Sequence, residues 1–116
     1  MRKKTRMRLK RSERAWLKAY REELASKYAE WVEEMIVYGS KARGDAGPES
    51  DLDVLLIVKN KAKARKCDLR EVGHLLAAGT DVMSSIMVYT RREWDARKES
   101  GSPFRRNVER DGVRVL

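Results

Sequence analysis

Apolar residues recur at steps of three or four along two stretches of the chain, and this spacing predicts helices there; a third helix is predicted over a polar stretch. The longest stretch carries aromatic and aliphatic side chains on one stripe, from Trp16 to Met35, which is typical of an amphipathic helix. The second stretch ends just before Gly79, a residue type that often caps a helix C-terminus. The third is short, polar and centred on Trp94. The predicted helices span residues 12–34, 61–78 and 91–99.

Shorter apolar runs predict four β-strands. The run over 52–58 is nearly continuous in Leu, Val and Ile, as expected for a central strand with helices on both faces. Residues 39–50 before it are rich in Gly and Ser, which predicts a loop with a short helical turn from Ser40. The other strands are predicted over residues 35–38, 81–90 and 113–116. We therefore expect an α/β (α+β) fold, a mixed sheet of about four strands with helices packed on it.

The positive charge of the chain is concentrated at its N-terminus. The 116 residues suit one domain, and their net charge of +9 comes entirely from residues 1–21, where ten Lys and Arg accompany one acid. We predict a basic, flexible segment over 1–11 and a single folded domain over 12–116. Residues 1–21 could attract a phosphate-rich nucleic acid. The alternative is a solvated tail followed by the outer face of a helix.

Composition also excludes several classes of protein. No apolar run approaches the roughly 18 residues that cross a membrane, so no membrane partner is expected. The only cysteine, Cys67, cannot form an internal disulfide, which fits a reducing, cytoplasmic setting. One cysteine and one histidine do not make a zinc site. The long first helix serves either as a packing layer of the domain or as the interface of a homo-oligomer or another partner.

Two aspartates, Asp51 and Asp53, stand two positions apart at the start of the central predicted strand. Side chains at i and i+2 of a strand point to the same face, so the two carboxylates are expected side by side. Neighbouring carboxylates repel each other unless a cation lies between them. Because oxygen ligands suit hard divalent ions, the pair predicts a site for Mg²⁺ or Mn²⁺. Such an ion keeps positions open for water and nucleotide phosphates.

The turn after the first predicted strand supplies groups that could bind phosphate. Gly39 lets the backbone turn sharply and approach a ligand closely. A helical turn that begins at Ser40 would offer N–H groups and a hydroxyl to an anion. Lys41 and Arg43 in the same loop could neutralise phosphate charge. With a metal at one end and a triphosphate at the other, the site could align a hydroxyl on the α-phosphorus while pyrophosphate departs.

Together the two halves make one motif, Gly39-Ser40, ten residues, then Asp51-x-Asp53. Residues 37–44 and 50–55, which contain it, closely resemble the DNA polymerase β-type nucleotidyltransferase superfamily, and more narrowly the minimal nucleotidyltransferases. The end of the chain is also similar to the end of those proteins, at residues 102–104, 107–108 and 110–113. The resemblance covers residues 30–116 and implies a nucleotidyltransferase fold, with ATP and Mg²⁺ as donor and transfer of AMP.

The resemblance also implies partners and residue roles. Many relatives are antitoxins that silence a HEPN-domain ribonuclease toxin by adenylylating one of its tyrosines, so a HEPN-type toxin is the expected partner. By the same resemblance Gly39 and Ser40 match the phosphate-binding turn, and Asp51 and Asp53 match the two metal ligands. Flanking motif positions, whose expected work is phosphate contact and support of the strand entry, are matched by Arg43 and Ser50.

A third carboxylate completes the metal site in the superfamily, where it lies on a neighbouring strand and assists deprotonation of the attacking hydroxyl. Asp81 is the only acid in the third predicted strand, and we expect it to take this catalytic and metal-binding role. It stands at the first position of that strand, whereas Ser84 and Ser85 occupy the middle, where a carboxylate would be equally plausible.

Two alternatives to an active enzyme stay open at this point. If Asp81 does not reach the metal, the chain could bind nucleotide yet turn over slowly or not at all, and would act as a binding module that masks its partner toxin. The second alternative is an RNA-binding protein that works through its basic N-terminus.

Overall fold

The computed structural model describes residues 7–116; the first six residues of the basic segment lie outside this range. In chain order the elements are α1 (Arg11–Lys27), β1 (Val32–Tyr38), α2 (Gly39–Arg43), β2 (Leu52–Val58), a 3₁₀ helix (Asn60–Arg65), α3 (Lys66–Ala77), β3 (Ser84–Thr90), α4 (Arg91–Glu99), α5 (Pro103–Asp111) and β4 (Val113–Arg114). The predicted strand over 52–58 and the predicted helix over 91–99 are confirmed residue for residue.

The strands form one mixed sheet in the order β3-β2-β1-β4, which confirms the predicted fold class. β1 pairs antiparallel with β2 and β4, whereas β2 and β3 run parallel. As expected for a central strand, β2 is buried along its whole length with one exception, the partly exposed Asp53. Asp53 is thus a polar residue at the one partly exposed position of β2. It marks a place where a ligand could reach this end of the sheet.

Helices cover both faces of the sheet. On one face α1 packs against α3, where the Trp16 ring N–H donates to the Gly73 carbonyl at 2.8 Å and the Tyr20 hydroxyl donates to the Leu69 carbonyl at 2.7 Å. On the other face, residues of α4 and α5 pack against β1 and β2 in a second apolar cluster, whose buried members are Ile36, Leu55, Ile57, Trp94 and Val108. Since Trp16 and Tyr20 are buried, the apolar stripe of α1 is a packing layer of the domain.

The first helix is shorter than predicted. The prediction over 12–34 is wrong beyond Lys27, because the backbone leaves the helical conformation at Tyr28, with φ −127°. Tyr28 and Trp31 keep helical spacing in the sequence, but they lie in the turn that leads into β1 and pack partly buried against the core. β1 consequently has seven residues instead of four.

The second half of the chain departs from prediction in four places, one of which is β4, which covers Val113–Arg114 instead of 113–116. The predicted helix over 61–78 is divided into the 3₁₀ helix and α3. β3 begins at Ser84 instead of residue 81, because the Thr80 hydroxyl accepts the Val82 N–H and the backbone turns there. A whole helix, α5, stands where a turn was expected, with the Ser102 hydroxyl accepting the Arg105 N–H at its start.

Residues 7–10 contact the domain and differ in this from the predicted flexible segment over 1–11. The Arg8 N–H donates to the Lys41 carbonyl at 3.0 Å, and Met7 and Leu9 pack partly buried against the core. Residues 1–6 belong both to that prediction and to the predicted nucleic-acid segment over 1–21, and they lie outside the described part. Within residues 7–116 no helix is long and apolar enough to span a membrane.

Candidate functional site

Asp51 and Asp53 lie where β2 begins. Asp51 immediately precedes the strand and is exposed, and Asp53 is its second residue. The charge of Asp51 raises the pKa of Asp53, so the two carboxylates are neighbours, as predicted. Among residues 7–116 neither carboxylate takes part in a hydrogen bond or ion pair that would occupy it, which leaves both available to a ligand.

Gly39 brings the turn after β1 against the Asp53 carboxylate. Tyr38, the last residue of β1, pairs with Asp53 across the two strands, so the chain turns directly beside the acid. Gly39 has φ +76°, and a Cβ atom built there would overlap the Asp53 carboxylate. A side chain at this position would therefore be strained in the backbone and obstructed in space. The glycine is what permits the two halves of the motif to meet.

α2 begins at this turn and ends at Arg43. The first N–H groups of a helix have no partner within that helix. Those of α2 begin at Gly39, the residue packed against the Asp53 carboxylate. Ser40 is partly exposed, and its hydroxyl forms no hydrogen bond within residues 7–116. The helix closes with Gly44, whose N–H donates to the Ser40 carbonyl at 2.9 Å. This short element offers donors to an anion on one side and carboxylates to a cation on the other.

Burial shapes the acid–base behaviour of the site. Desolvation by burial raises the pKa of Asp53 most, the charge of Asp51 raises it further, and the charge of Arg43 partly lowers it. Burial, with the neighbouring charge of Asp53, also raises the pKa of the Tyr38 hydroxyl to about 12, so that hydroxyl is neutral at physiological pH. Two carboxylates whose charges disfavour one another are stabilised by a bound cation.

The Arg43 side chain forms hydrogen bonds with two acids. Its Nε donates to Asp45 at 3.2 Å and its Nη1 donates to Asp111 at 3.4 Å. Asp45 is exposed, whereas Asp111 is buried at the end of α5. The tail of the chain, which the sequence singled out only by resemblance, therefore contacts the turn that carries Ser40.

Lys41 is not available to phosphate, which corrects the prediction from the sequence. Its ammonium forms a buried ion pair with Glu13 of α1 at 3.1 Å, and the two residues are only 4% and 3% exposed. Replacing either residue alone would leave a charge buried without its partner, which typically costs about 3–5 kcal/mol. Lys41 thus anchors α2 to α1, and Arg43 is the cation of the motif that keeps an exposed side chain.

Ser50 organises the loop that returns to β2. Its hydroxyl accepts the Gly47 N–H at 3.1 Å, and its own N–H donates to the Gly47 carbonyl at 3.2 Å. This loop leads directly into Asp51. Its position agrees with support of the strand entry, the second of the two roles suggested for Ser50.

The structure does not group Asp81 with the Asp51/Asp53 pair. It lies exposed in the turn before β3, and no group of three or more acidic, histidine or cysteine side chains able to hold a metal ion occurs in the described part of the chain. The parallel register instead pairs Asp53 with Ser85. Registered neighbours in a sheet point to the same face, so an exposed serine stands where a third carboxylate would face the pair.

The sequence analysis did not assign the roles of three residues of this region, namely Glu13, Asp111 and Ser85. Glu13 looked like an acid at a helix start, and nothing local revealed that it reaches Lys41, which is 28 residues away. Asp111 lay in the tail that resembles the family, a signal that could have marked it. Ser85 was noted as a position suited to a carboxylate, but only the register with β2 identifies it as the residue beside Asp53.

Known proteins are similar to this chain over most of its length. A family model described as a nucleotidyltransferase domain matches residues 17–109. A protein of Methanocaldococcus jannaschii, provisionally named a protein adenylyltransferase, is 27% identical over 100 residues, 85% of this chain and 94% of that protein. A crystal structure of a provisionally named nucleotidyltransferase from Sulfolobus solfataricus superposes with a TM-score of 0.51 and 25% identity, covering 86% of this chain and 76% of the other.

Proposed function

Since this chain belongs to the nucleotidyltransferase domain family, we propose that it transfers AMP from ATP to a hydroxyl group of a partner protein with the help of a divalent cation. The observation that carries the proposal is the direct approach of Gly39 to the Asp53 carboxylate. Because of this approach, the N–H donors that could bind a triphosphate lie next to the carboxylates that could bind a cation. Among residues 7–116 these carboxylates have no hydrogen-bond or ion-pair partner, and the glycine beside them has no side chain to obstruct a ligand.

The residues present suit one divalent cation. Asp51 and Asp53 are neighbouring carboxylates without a protein partner among residues 7–116, and their all-oxygen donor set fits Mg²⁺ or Mn²⁺. Two protein ligands are few, but Mg²⁺ commonly takes one or two carboxylates and completes its shell with water and substrate phosphates. When bound, the ion would neutralise the carboxylates and withdraw charge from the α-phosphate.

The chain's own residues would bind and orient the substrates. The N–H groups at the start of α2 and the Ser40 hydroxyl donate to triphosphate oxygens, and Arg43 offsets their charge. The acceptor hydroxyl forms a bond to the α-phosphorus, the bond from that phosphorus to the β-phosphate bridging oxygen breaks, and pyrophosphate leaves. The hydroxyl proton passes to water, because among residues 7–116 no third carboxylate groups with the Asp51/Asp53 pair.

The choice of ATP and of a protein acceptor is supported by the M. jannaschii relative, whose name specifies protein adenylylation. The antitoxin role rests on the family resemblance of the motif. In that role the acceptor is a tyrosine of a HEPN-type toxin encoded beside this chain.

A label-transfer assay tests the proposal. The chain is incubated with Mg²⁺, α-³²P-labelled ATP and the protein encoded next to it, and labelled protein is quantified. We expect transfer by the unsubstituted chain, loss of transfer by about 100-fold or more in Asp53→Asn, and little change in Asp81→Asn, which lies outside the site. Equal transfer by Asp53→Asn, or none by the unsubstituted chain, would refute the proposal.

A second candidate function is a nucleotide-binding module that masks its partner and catalyses slowly. Ser85 favours it, because a serine stands where a third acid could have assisted the attacking hydroxyl. This module would bind ATP through the same Gly39-Ser40 turn and would inhibit the partner even in the Asp53→Asn variant. Measuring partner activity with and without ATP separates it from the enzyme, whose inhibition requires nucleotide transfer.

A further inference from the structure

Asp111 is a buried acid close to the proposed nucleotide site, yet it lies outside the Gly-Ser and Asp-x-Asp motif. It ends α5, is 2% exposed, and accepts hydrogen bonds from Arg43 at 3.4 Å and from Arg110 at 2.9 Å. The residue after it, Gly112, has no room for a Cβ atom, which would overlap the Val108 carbonyl and crowd Ile36. The end of α5 is therefore held close against β1, and Asp111 with it.

Arg43 is the side chain through which Asp111 can act on the site. It lies on α2 three positions after Ser40, and α2 begins at Gly39, the residue packed directly against the Asp53 carboxylate. Its second acidic partner, Asp45, is 62% exposed, and ion pairs with exposed groups hold a side chain weakly. Asp111, fixed in the packed end of α5, is the firmer of the two anchors.

We infer that Asp111 is a positioning residue, which holds the Arg43 guanidinium at the edge of the site before the nucleotide arrives. The inference rests on the proposed function, because it assigns Arg43 to the triphosphate. A free arginine side chain has many rotamers, and restricting them in advance lowers the entropic cost of contacting a ligand. Asp111 itself touches no reacting atom and acts only through Arg43.

The test measures ATP affinity by calorimetry in the presence of Mg²⁺, with thermal unfolding of each variant as a check on folding. Asp111→Asn keeps the size of the side chain and removes its charge, and we expect it to weaken ATP binding about tenfold. Arg43→Gln should weaken binding at least as much. The double variant should bind like Arg43→Gln alone, since the inference has Asp111 act on the nucleotide through Arg43. Arg110→Gln, the matched control, removes the exposed partner of Asp111 and should leave affinity within about twofold.

The outcomes separate the inference from the function on which it rests. No ATP binding by the unsubstituted chain would overturn the proposed function and the inference together. Binding by the unsubstituted chain with equal affinity in Asp111→Asn would overturn the inference alone, as would a double variant markedly weaker than Arg43→Gln, the signature of a general structural role. Should Asp111→Asn fail to fold, Arg43→Lys replaces it. That variant keeps the charge and loses the guanidinium fork, and affinity equal to the unsubstituted chain would overturn the inference.

Discussion

The two sides of the candidate site differ in how many of the expected functional groups they carry. On one side, β1, α2 and β2 bring Gly39, the start of a helix and two aspartates together within one hairpin-like unit of the chain. On the other side, β3 runs parallel to β2 and presents Ser85 beside Asp53, while its nearest acid, Asp81, lies in the turn before the strand. The first side has what nucleotide and cation binding require, and the second lacks the acid that would assist the attacking hydroxyl.

This difference separates binding from chemistry within one fold. The groups proposed to bind a triphosphate come from residues 39–53, a short segment in which β1 and β2 pair antiparallel. The contribution of β3 depends on a crossover through α3, and a single residue there decides whether the site has two carboxylates or three. We therefore expect changes on the first side to remove binding and changes on the second side to adjust the rate.

The largest effect is expected from Gly39→Ala, which would lower ATP affinity and transfer by roughly 100-fold, because the new Cβ atom displaces the Asp53 carboxylate. Gly79→Ala is its matched control. Gly79 has φ +79°, close to the +76° of Gly39, but nothing lies within 4 Å of a Cβ atom there. Both variants should lose stability of about 1 kcal/mol from backbone strain.

Calorimetric titration with ATP and thermal unfolding of the two glycine variants check this prediction. If both variants lost nucleotide affinity equally, the loss would come from backbone strain and the close approach of the turn to Asp53 would have no special role. If neither lost affinity, the turn after β1 would not be part of a nucleotide site.

A gain is expected on the other side of the site. Ser85→Asp places a third carboxylate beside Asp53 and should raise the rate of transfer about tenfold, the lower range for general-base assistance. Ser85→Asn is the control, because it adds similar bulk without charge and should leave the rate unchanged. Single-turnover label transfer under saturating ATP measures the chemical step. An equal gain in both variants, or a loss in Ser85→Asp alone, would contradict the assignment of this position.

The smallest effect concerns stability without divalent cations. The pKa of Asp53 is raised in the folded chain, mainly by burial, so between the unfolded and folded pKa values the folded state binds more protons. Stability contributed by this group therefore falls as pH rises through that window and stays lower above it. Asp53→Asn removes the penalty and should stabilise the chain at pH 7 by less than about 1 kcal/mol.

Urea unfolding in a chelator, at a series of pH values, measures this effect. The stability difference between Asp53→Asn and the unsubstituted chain should grow with rising pH and then level off. If Asp53→Asn were less stable than the unsubstituted chain at neutral pH, this prediction would be contradicted. The Asp53 carboxylate would then stabilise the fold, and its burial would carry no net free-energy cost.

Patterns with a local cause were predictable from the sequence. β2 and α4 are confirmed at both ends, because continuous burial and the Thr90 cap are encoded in adjacent residues. The boundary between α1 and β1 was not, since Tyr28 and Trp31 continue the helical spacing while the backbone turns. α5 was missed because it is short and mostly polar, with Phe104 and Val108 as its large apolar residues, although Ser102 and Pro103 are typical of a helix start.

In the candidate site, too, features with a local cause were predictable from the sequence and those that depend on distant contacts were not. Asp51, Asp53 and Gly39 were placed together by strand alternation and turn chemistry, which act over a few residues. Roles that depend on distant contacts were not predictable. Lys41 is taken by an acid 28 residues away, and the position opposite Asp53 is set by the register of a parallel pair.

The central claim is that Asp51 and Asp53 share a cation facing the Gly39-Ser40 turn, and a crystal grown with Mn²⁺ and a non-hydrolysable ATP analogue tests it most directly. Anomalous scattering locates the ion independently of the protein model. The account predicts a manganese peak between these two carboxylates, with the triphosphate on the N–H groups at the start of α2. A peak coordinated by Asp81, or a triphosphate bound away from that turn, would contradict it.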